Sequence, residues 1–255
     1  MISIKTNEEI KIMQKGGKIL SDVIWELVKN VKPGVSELEL DALAEKLIRE
    51  MGAEPGFKRV DGYKHSICMS TNDVVVHGIP SNYRFKEGDI VGIDCGVYFE
   101  GFHTDMSETG RVESKLKNDS IDEFLFTGRD ALEKAIAVAK IGNNVGHISK
   151  TIQDIVEGKG YSVVRSLVGH GVGHQLHEEP EVPGFLSEGI EETPRLSEGM
   201  VIAIEVIYNM GNFELVFANK DGWTLKTEDA SLSGLFERTV AITKEGPLVL
   251  TPDRN

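Results

Sequence analysis

Apolar residues recur at three- and four-residue spacing from the start of the chain, at Ile10, Met13, Gly17, Leu20, Ile24, Leu27 and Val31. That spacing puts them on one face of a helix. Thr6 or Asn7 can cap it, Glu8 and Glu9 suit its first turn, and Pro33-Gly34 ends it. A second helix is predicted from Ser36, with Glu39 three residues on in a capping-box pattern. Its face is Leu40, Leu43, Ala44, Leu47, Ile48 and Met51, and Gly52 stops it. Neither stripe carries chemistry, and both read as cover for one side of a sheet. The pattern then changes. Residues 66–79 and 88–100 are rich in Val and Ile and bounded by Gly, Pro and Asn, which predicts strands. Helical segments are predicted near 119–140 and 144–158, and a second strand-rich stretch runs from about 162 to the end.

Two of the strand segments echo each other. Glu87-Gly88, an apolar run and Asp94 match Glu198-Gly199, an apolar run and Glu205, at a constant offset of 111 residues. The echo suggests a duplicated α+β unit in which related strands deliver acids to a shared centre. With no low-complexity segment or linker, residues 1–255 are expected to form a single catalytic domain of two pseudo-symmetric halves.

Composition narrows the function. Of the 255 residues, 40% are hydrophobic and 27% charged, an ordinary globular balance. The net charge of −13 argues against general nucleic-acid binding, which needs a basic excess. The two cysteines, Cys68 and Cys95, form no Cys-x-x-Cys pair, so a disulfide framework is not expected and a reducing compartment is. The start of the chain is polar and of mixed charge, unlike a secretory or transit signal, and no apolar run is long enough to span a membrane. A soluble, cytoplasmic protein is expected.

The candidate chemistry lies in carboxylates where they are expensive. Asp94 follows Ile90-Val91-Gly92-Ile93, Glu205 follows Val201-Ile202-Ala203-Ile204, and Glu237 follows Leu235-Phe236. An acid beside an apolar strand is costly unless paired or bound to a cation. Asp105 lies eleven residues after Asp94, so a hairpin could bring the two together. His170 sits in Val168-Gly169-His170-Gly171-Val172-Gly173, where glycines allow close backbone approach and leave the imidazole unshielded. Four carboxylates and one imidazole balance two divalent cations plus a hydroxide. An oxygen-rich set with one nitrogen suits Mn²⁺, Fe²⁺, Co²⁺ or Zn²⁺, and paired metals are hydrolytic machinery.

These motifs, taken in order, resemble the type I methionine aminopeptidases. The resemblance rests on Ser70-Thr71-Asn72-Asp73-Val74-Val75-Val76-His77-Gly78-Ile79-Pro80, on Gly88 to Asp94, and on Gly101-Phe102-His103-Thr104-Asp105. It continues through Gly169-His170-Gly171-Val172-Gly173 to His177-Glu178-Glu179-Pro180, Gly199-Met200-Val201 to Glu205, and Gly222-Trp223-Thr224 to Glu237. It covers essentially the whole chain. It implies the α+β pita-bread fold of the creatinase/aminopeptidase class, a pseudo-twofold antiparallel sheet with helices on its outer face. It implies that Asp94 chelates one metal, that Asp105 and Glu237 bridge both, and that His170 and Glu205 complete the other. It implies a substrate-facing His77 near the scissile amide, a His177 that stabilises the tetrahedral intermediate, and a Glu205 that also relays the proton when a bridging hydroxide attacks. Tyr63, Cys68 and Trp223 are implied to line the methionine pocket with Phe57 and Leu176 nearby, and Asn72, Val74 and Ser233 match positions that bind a monovalent cation in some relatives. The implied substrates are nascent polypeptides beginning with Met and a small second residue, met by a monomer that touches the ribosome transiently.

Some positions depart from the family pattern. Val206 replaces a frequent Pro, Arg238 a frequent His or Asp, His174 a frequent Arg and Met106 a frequent Thr, while Val60 and Asp61 replace an aromatic/His pair at the pocket rim. No implied ligand is lost, so these bear on rate and side-chain preference. His103 is expected to act only from behind the ligands, and His65 and His147 to be exposed loop residues. Two rivals stay open. An Xaa-Pro aminopeptidase would share the five ligands but usually carries an N-terminal domain for which this chain has no room, and a non-catalytic pita-bread binding protein would typically have lost ligands. The type II subclass would need a helical insertion between His177 and Glu205, where the segment is too short.

Overall fold

The structure, a computed structural model, describes residues 2–115 and 117–253. Its elements follow in chain order as α1 (Asn7–Asn30), α2 (Glu37–Glu50), β1 (Glu54–Pro55), β2 (Ile67–Thr71), β3 (Val74–Val76), β4 (Ile90–Phe99) and β5 (Phe102–Arg111). Next come α3 (Asp119–Val138), α4 (Val145–Gly158), β6 (Ser162–Val163), β7 (Gly169–Gly171), β8 (Glu178–Val182) and β9 (Val201–Asn209). The chain closes with β10 (Leu215–Phe217), β11 (Leu225–Thr227), β12 (Ser233–Thr243) and β13 (Gly246–Val249).

The helix starts are fixed by the side chains that the sequence singles out. Thr6 and Ser36 each accept from the amide three residues on, and Glu9 and Glu39 reach back to the Thr6 and Ser36 amides at 2.7 Å. Each box satisfies amides that the helix cannot. Strand order in the large sheet is β1-β4-β5-β12-β9-β7-β8, with β2 on β4, β6 on β9 and β13 on β12. A small sheet, β10-β11-β3, stands apart from it.

Alternation along the strands sorts the two faces of the large sheet. On one face, Val91, Ile93, Cys95, Val97 and Met106 pack with Leu20, Ile24, Leu27, Leu40 and Ile48 of α1 and α2. Beside them, Ile202, Ile204, Val206, Phe236 and Val240 pack with Phe124, Ala131, Leu132, Ile148 and Ile152 of α3 and α4. All four helices therefore cover one face. The other face carries Asp94, Asp105, Glu205 and Glu237, and at one edge Ile207 and Leu235 of this face pack under Val75 and Val76 of the small sheet.

The structure changes three expectations. Residues 66–79 form two strands, divided at Asn72, which adopts a left-handed φ of 58°. The Asp94–Asp105 hairpin is larger than a short turn motif, with ten registered pairs from Ile90↔Arg111 to Phe99↔Phe102. His65 and His147 are not exposed loop residues. His65 Nδ1 lies 2.7 Å from Asp41 Oδ2, and His147 is inside the first turn of α4, its Nδ1 accepting from the Asn144 amide at 3.0 Å.

Candidate metal centre

Five successive strands of the sheet each contribute one of the candidate ligands: β4 Asp94, β5 Asp105, β12 Glu237, β9 Glu205 and β7 His170. Register puts them on one face. Asp94 stands opposite Ser107, Ser107 opposite Glu237, and Glu237 opposite Glu205, in one line across the sheet. Asp105 is opposite Gly96, two residues from Asp94, and His170 is opposite Ala203, two residues from Glu205. A shift of one residue on any strand would move its ligand to the helical face.

One ligand atom each from Asp105, His170 and Glu237 lies within 4.8 Å of the others. His170 Nε2 is 3.6 Å from Glu205 Oε1 and 3.9 Å from Asp105 Oδ2. Asp94 completes the row and lines the same cleft. The His170 ring is set by its neighbours. Its Nδ1 donates to the Gly171 carbonyl at 2.9 Å, which leaves Nε2 as the lone-pair nitrogen facing the acids. A Cβ on Gly169 would fall 2.5 Å from the Ala203 carbonyl, and one on Gly171 2.2 Å from the Glu179 carbonyl. The backbone can approach β8 and β9 this closely only because both flanking positions are glycine.

The electrostatics are those of a cation site. Burial pushes the Asp94 carboxyl up to about 7. Burial, then repulsion from Asp94 and Glu205, raises Asp105, while burial and Asp94 raise Glu205. Burial and the three other acids raise Glu237. Burial, with His177 alongside, lowers His170 to about 4, so its imidazole is neutral and able to ligate. Asp94 Oδ1 and Glu237 Oε1 are buried without a hydrogen-bond partner among the described residues. Acids packed this closely, with orphaned oxygens, fit a divalent metal.

An apolar recess adjoins the acids. Phe57, Tyr63, Cys68 and Leu176 form it, with Val60, Ile79 and Trp223 packed against them. Cys68 lies opposite Asp94 and so extends the ligand row into the recess. Tyr63 donates to the Ile67 carbonyl at 2.8 Å and takes the Cys68 thiol at 3.1 Å, and burial holds both groups un-ionised. The Trp223 ring is 5.1 Å from that of Tyr63 and 6.5 Å from that of His77. Asp221 fixes the Trp223 turn, accepting from the Trp223 and Thr224 amides and the Thr224 hydroxyl at 2.6–2.9 Å. His77, at a left-handed φ of 55°, and His177, its ring 4.4 Å from His170, reach the same cleft. Burial lowers the pKa of both.

The structure places the candidate ligands and the candidate pocket residues around one cleft. It adds Val76 to the cleft lining and Asp221 behind Trp223. Asp221 sits two residues before Trp223 in an Asx-turn pattern, a signal that was available. Asn72 and Ser233 also meet, the Ser233 amide donating to the Asn72 carbonyl at 3.0 Å, and Val74 opens β3. Three of the departures from the family pattern lie on the helical face, since Met106, Val206 and Arg238 each neighbour a residue of the ligand face. His174 is on the surface, its Nδ1 3.1 Å from the Gly101 carbonyl.

Fold and centre together define a metal-dependent hydrolase with an enclosed apolar subsite. The sequence profile of metallopeptidase family M24 matches residues 11–244. The methionine aminopeptidase of Clostridium perfringens is 43% identical over 251 residues, covering 98% of this chain and 99% of that one. Methionine aminopeptidase 1 of Bacillus subtilis is 41% identical over 251 residues at 98% and 99% coverage. The crystal structure of the Thermotoga maritima methionine aminopeptidase superposes with a TM-score of 0.95 at 38% identity, covering 99% and 100% of the two chains. A prolidase of Pyrococcus horikoshii shares the fold with a TM-score of 0.79 at 26% identity, but this chain covers only 64% of it. The chain belongs to metallopeptidase family M24 and, within it, to the type I methionine aminopeptidases. Its fold is accordingly the pita-bread fold, and its centre is a site for divalent metal.

Proposed function

We propose that this chain removes the N-terminal methionine from nascent proteins and peptides, favouring a small second residue. The observation that carries this reading is the Asp105–His170–Glu237 cluster opening into an apolar recess closed by Trp223. The protein acts as a monomer in the cytoplasm, with transient contact to the ribosome, as one catalytic domain of two related halves.

Asp94, Asp105, His170, Glu205 and Glu237 would hold two divalent ions, of Mn, Fe, Co or Zn. When bound, such ions polarise the substrate carbonyl and make water nucleophilic at neutral pH. The protein supplies the rest. Glu205 accepts the proton of the attacking water and passes it to the leaving amine. His177, kept neutral by burial, donates an uncharged N–H to the oxygen that gains charge. His77 orients the scissile amide from across the cleft. Tyr63, Cys68 and Trp223 enclose the methionine side chain, whose polarizable thioether suits aromatic walls. Asn72, Val74 and Ser233 would hold a monovalent cation.

The test is release of free methionine from a Met-Ala-Ser peptide by chelated protein given Mn²⁺, Co²⁺ or Fe²⁺. Metal-dependent release that disappears in Asp105→Ala is expected. Silence toward Met-Ala-Ser with hydrolysis of an Xaa-Pro peptide would transfer the protein to the prolidase side of the family. Silence toward both would make it a binding protein.

A further inference from the structure

The metal face is crossed by a seam where the sheet is not held by an ordinary ladder. β4 and β5 share ten registered pairs and β9 and β12 share nine, but β5 and β12 share only Glu237↔Ser107 and Arg238↔Met106. Asp94 and Asp105 lie on one side of that seam, and Glu205, Glu237 and His170 on the other. The seam is buried, with Ser107 at 0% exposure, Leu235 and Glu237 at 2% and Asp105 at 4%, so its backbone groups need partners.

Three side chains provide them. Thr239 Oγ1 accepts from the Asp105 amide at 2.9 Å and donates to the Asp105 carbonyl at 2.8 Å. Thr109 Oγ1 does the same for Leu235, at 3.0 and 2.6 Å. Each threonine lies two residues beyond the facing Ser107–Glu237 pair, so the two are related by a local twofold. Between them, Arg238 Nη1 donates to both the Ser107 and the Glu237 carbonyls, at 3.0 and 2.7 Å. Its Nη2 donates to Glu108 Oε2 at 2.8 Å and also reaches Asp253. The backbone of Thr239 is engaged elsewhere, its amide on Thr251 Oγ1 and its carbonyl with the Leu250 amide. Its hydroxyl is therefore what holds Asp105 against β12.

We propose that Thr239, backed by Arg238, is a positioning residue for the metal centre, setting the spacing of Asp105 from Glu237 across the seam by gripping the Asp105 backbone. Thr109 makes the same bonds to Leu235, which is not a ligand, and is the internal control. The inference rests on the metal reading above. Removing the Thr239 hydroxyl leaves two buried backbone groups of Asp105 unpaired and frees the ligand to shift by tenths of an ångström, which a paired centre tolerates poorly.

The experiment is Mn²⁺ titration by calorimetry of the full chain after chelation, with the thermal midpoint of each metal-free variant measured alongside. Thr239→Val should weaken Mn²⁺ binding tenfold or more, and Thr239→Ser should restore it to within twofold of the parent. Thr109→Val should lower the midpoint by a similar amount while changing Mn²⁺ affinity less than threefold. Equal midpoint losses with parental Mn²⁺ affinity in both valine variants would reduce the threonines to structural residues and overturn the proposal. If Thr239→Val does not fold, Arg238→Lys decides, because it keeps the charge and loses the fork that spans the two carbonyls. Weakened Mn²⁺ binding supports the proposal and parental binding overturns it. Failure of the parent protein to bind Mn²⁺ at all would instead remove the metal reading and this inference with it.

Discussion

The β4–β5 hairpin and the β9–β12 pair perform the same task in different ways. Each brings two carboxylates to the ligand row through a long antiparallel ladder. The first closes through a tight turn at Glu100-Gly101, both residues in left-handed backbone, so Asp94 and Asp105 meet by local folding alone. The second is interrupted by residues 210–232, which form β10 and β11 and carry Asp221 and Trp223 before β12 begins. The first pair thus contributes to the centre alone, whereas the second contributes to the centre and adds Trp223 to the lining of the apolar recess. Both regions supply candidate ligands, and the second also supplies Trp223, which packs against the recess of Phe57, Tyr63, Cys68 and Leu176.

The largest effects should come from breaking the shared task. Asp105→Ala and Glu237→Ala, one from each region, should each lower methionine release about a thousandfold or more, since either removes a carboxylate of the proposed metal centre. Both should raise the thermal midpoint of the chelated protein, because each removes a buried acid raised by burial and by its neighbours. Retention of most activity by either variant would mean that the two regions do not serve one centre.

A smaller change should separate the regions. Trp223→Ala is expected to lower kcat/KM for Met-Ala-Ser by about 10- to 100-fold, the range for a lost apolar pocket contact, with Mn²⁺ affinity unchanged in calorimetry. Asp221→Ala should act in the same direction but more weakly, by loosening the Trp223 turn. Burial opposes ionisation of Asp221, but the Thr224 hydroxyl and the Trp223 and Thr224 amides draw its pKa down to about 2, so the turn is intact throughout the neutral range. A loss of Mn²⁺ affinity in Trp223→Ala would show that pocket and centre are not separable.

The smallest effect is a dependence on pH. The folded, metal-free pKa of Asp94 is about 7, above its unfolded value of about 3.9. A raised carboxyl stabilises the fold fully below the unfolded pKa and loses that contribution as pH rises through the folded one. The metal-free protein is therefore penalised most above pH 7, where bound metal relieves the repulsion. The gap in thermal midpoint between Mn²⁺-loaded and chelated protein should narrow as pH falls from about 8 to about 5. A gap that is constant or widens would contradict the repulsion described for the row.

The two regions also differ in how much of them the sequence reveals. Asp94, Glu205 and Glu237 are conspicuous because each sits beside apolar residues where a bare carboxylate is unfavourable, and the spacing to Asp105 points to a hairpin. Capping boxes at Thr6 and Ser36 likewise announce their helices. β5 is harder to see as a full strand, since Phe102–Arg111 is mostly polar yet largely buried. Alternation fails there because Asp105, Ser107 and Thr109 face the centre and the seam, while Glu108 on the opposite face is paired with Arg129 and Arg238 at 2.9 and 2.8 Å. The small sheet is invisible to local patterning because β3 and β11 are 3-residue strands far apart in the chain. His65 and His147 look like surface residues only because Asp41 is distant in sequence and because histidine is an uncommon capping-box partner. The roles of His77, His177 and Trp223 come from the family resemblance, since nothing in their local spacing dictates a common cleft.

The most direct measurement is diffraction from crystals grown with Mn²⁺, collected on both sides of the manganese absorption edge. The account predicts two anomalous peaks enclosed by Asp94, Asp105, His170, Glu205 and Glu237, with the Asp105 and Glu237 carboxylates touching both. A manganese peak held by other residues, or none at this row in a crystal that contains manganese elsewhere, would contradict it.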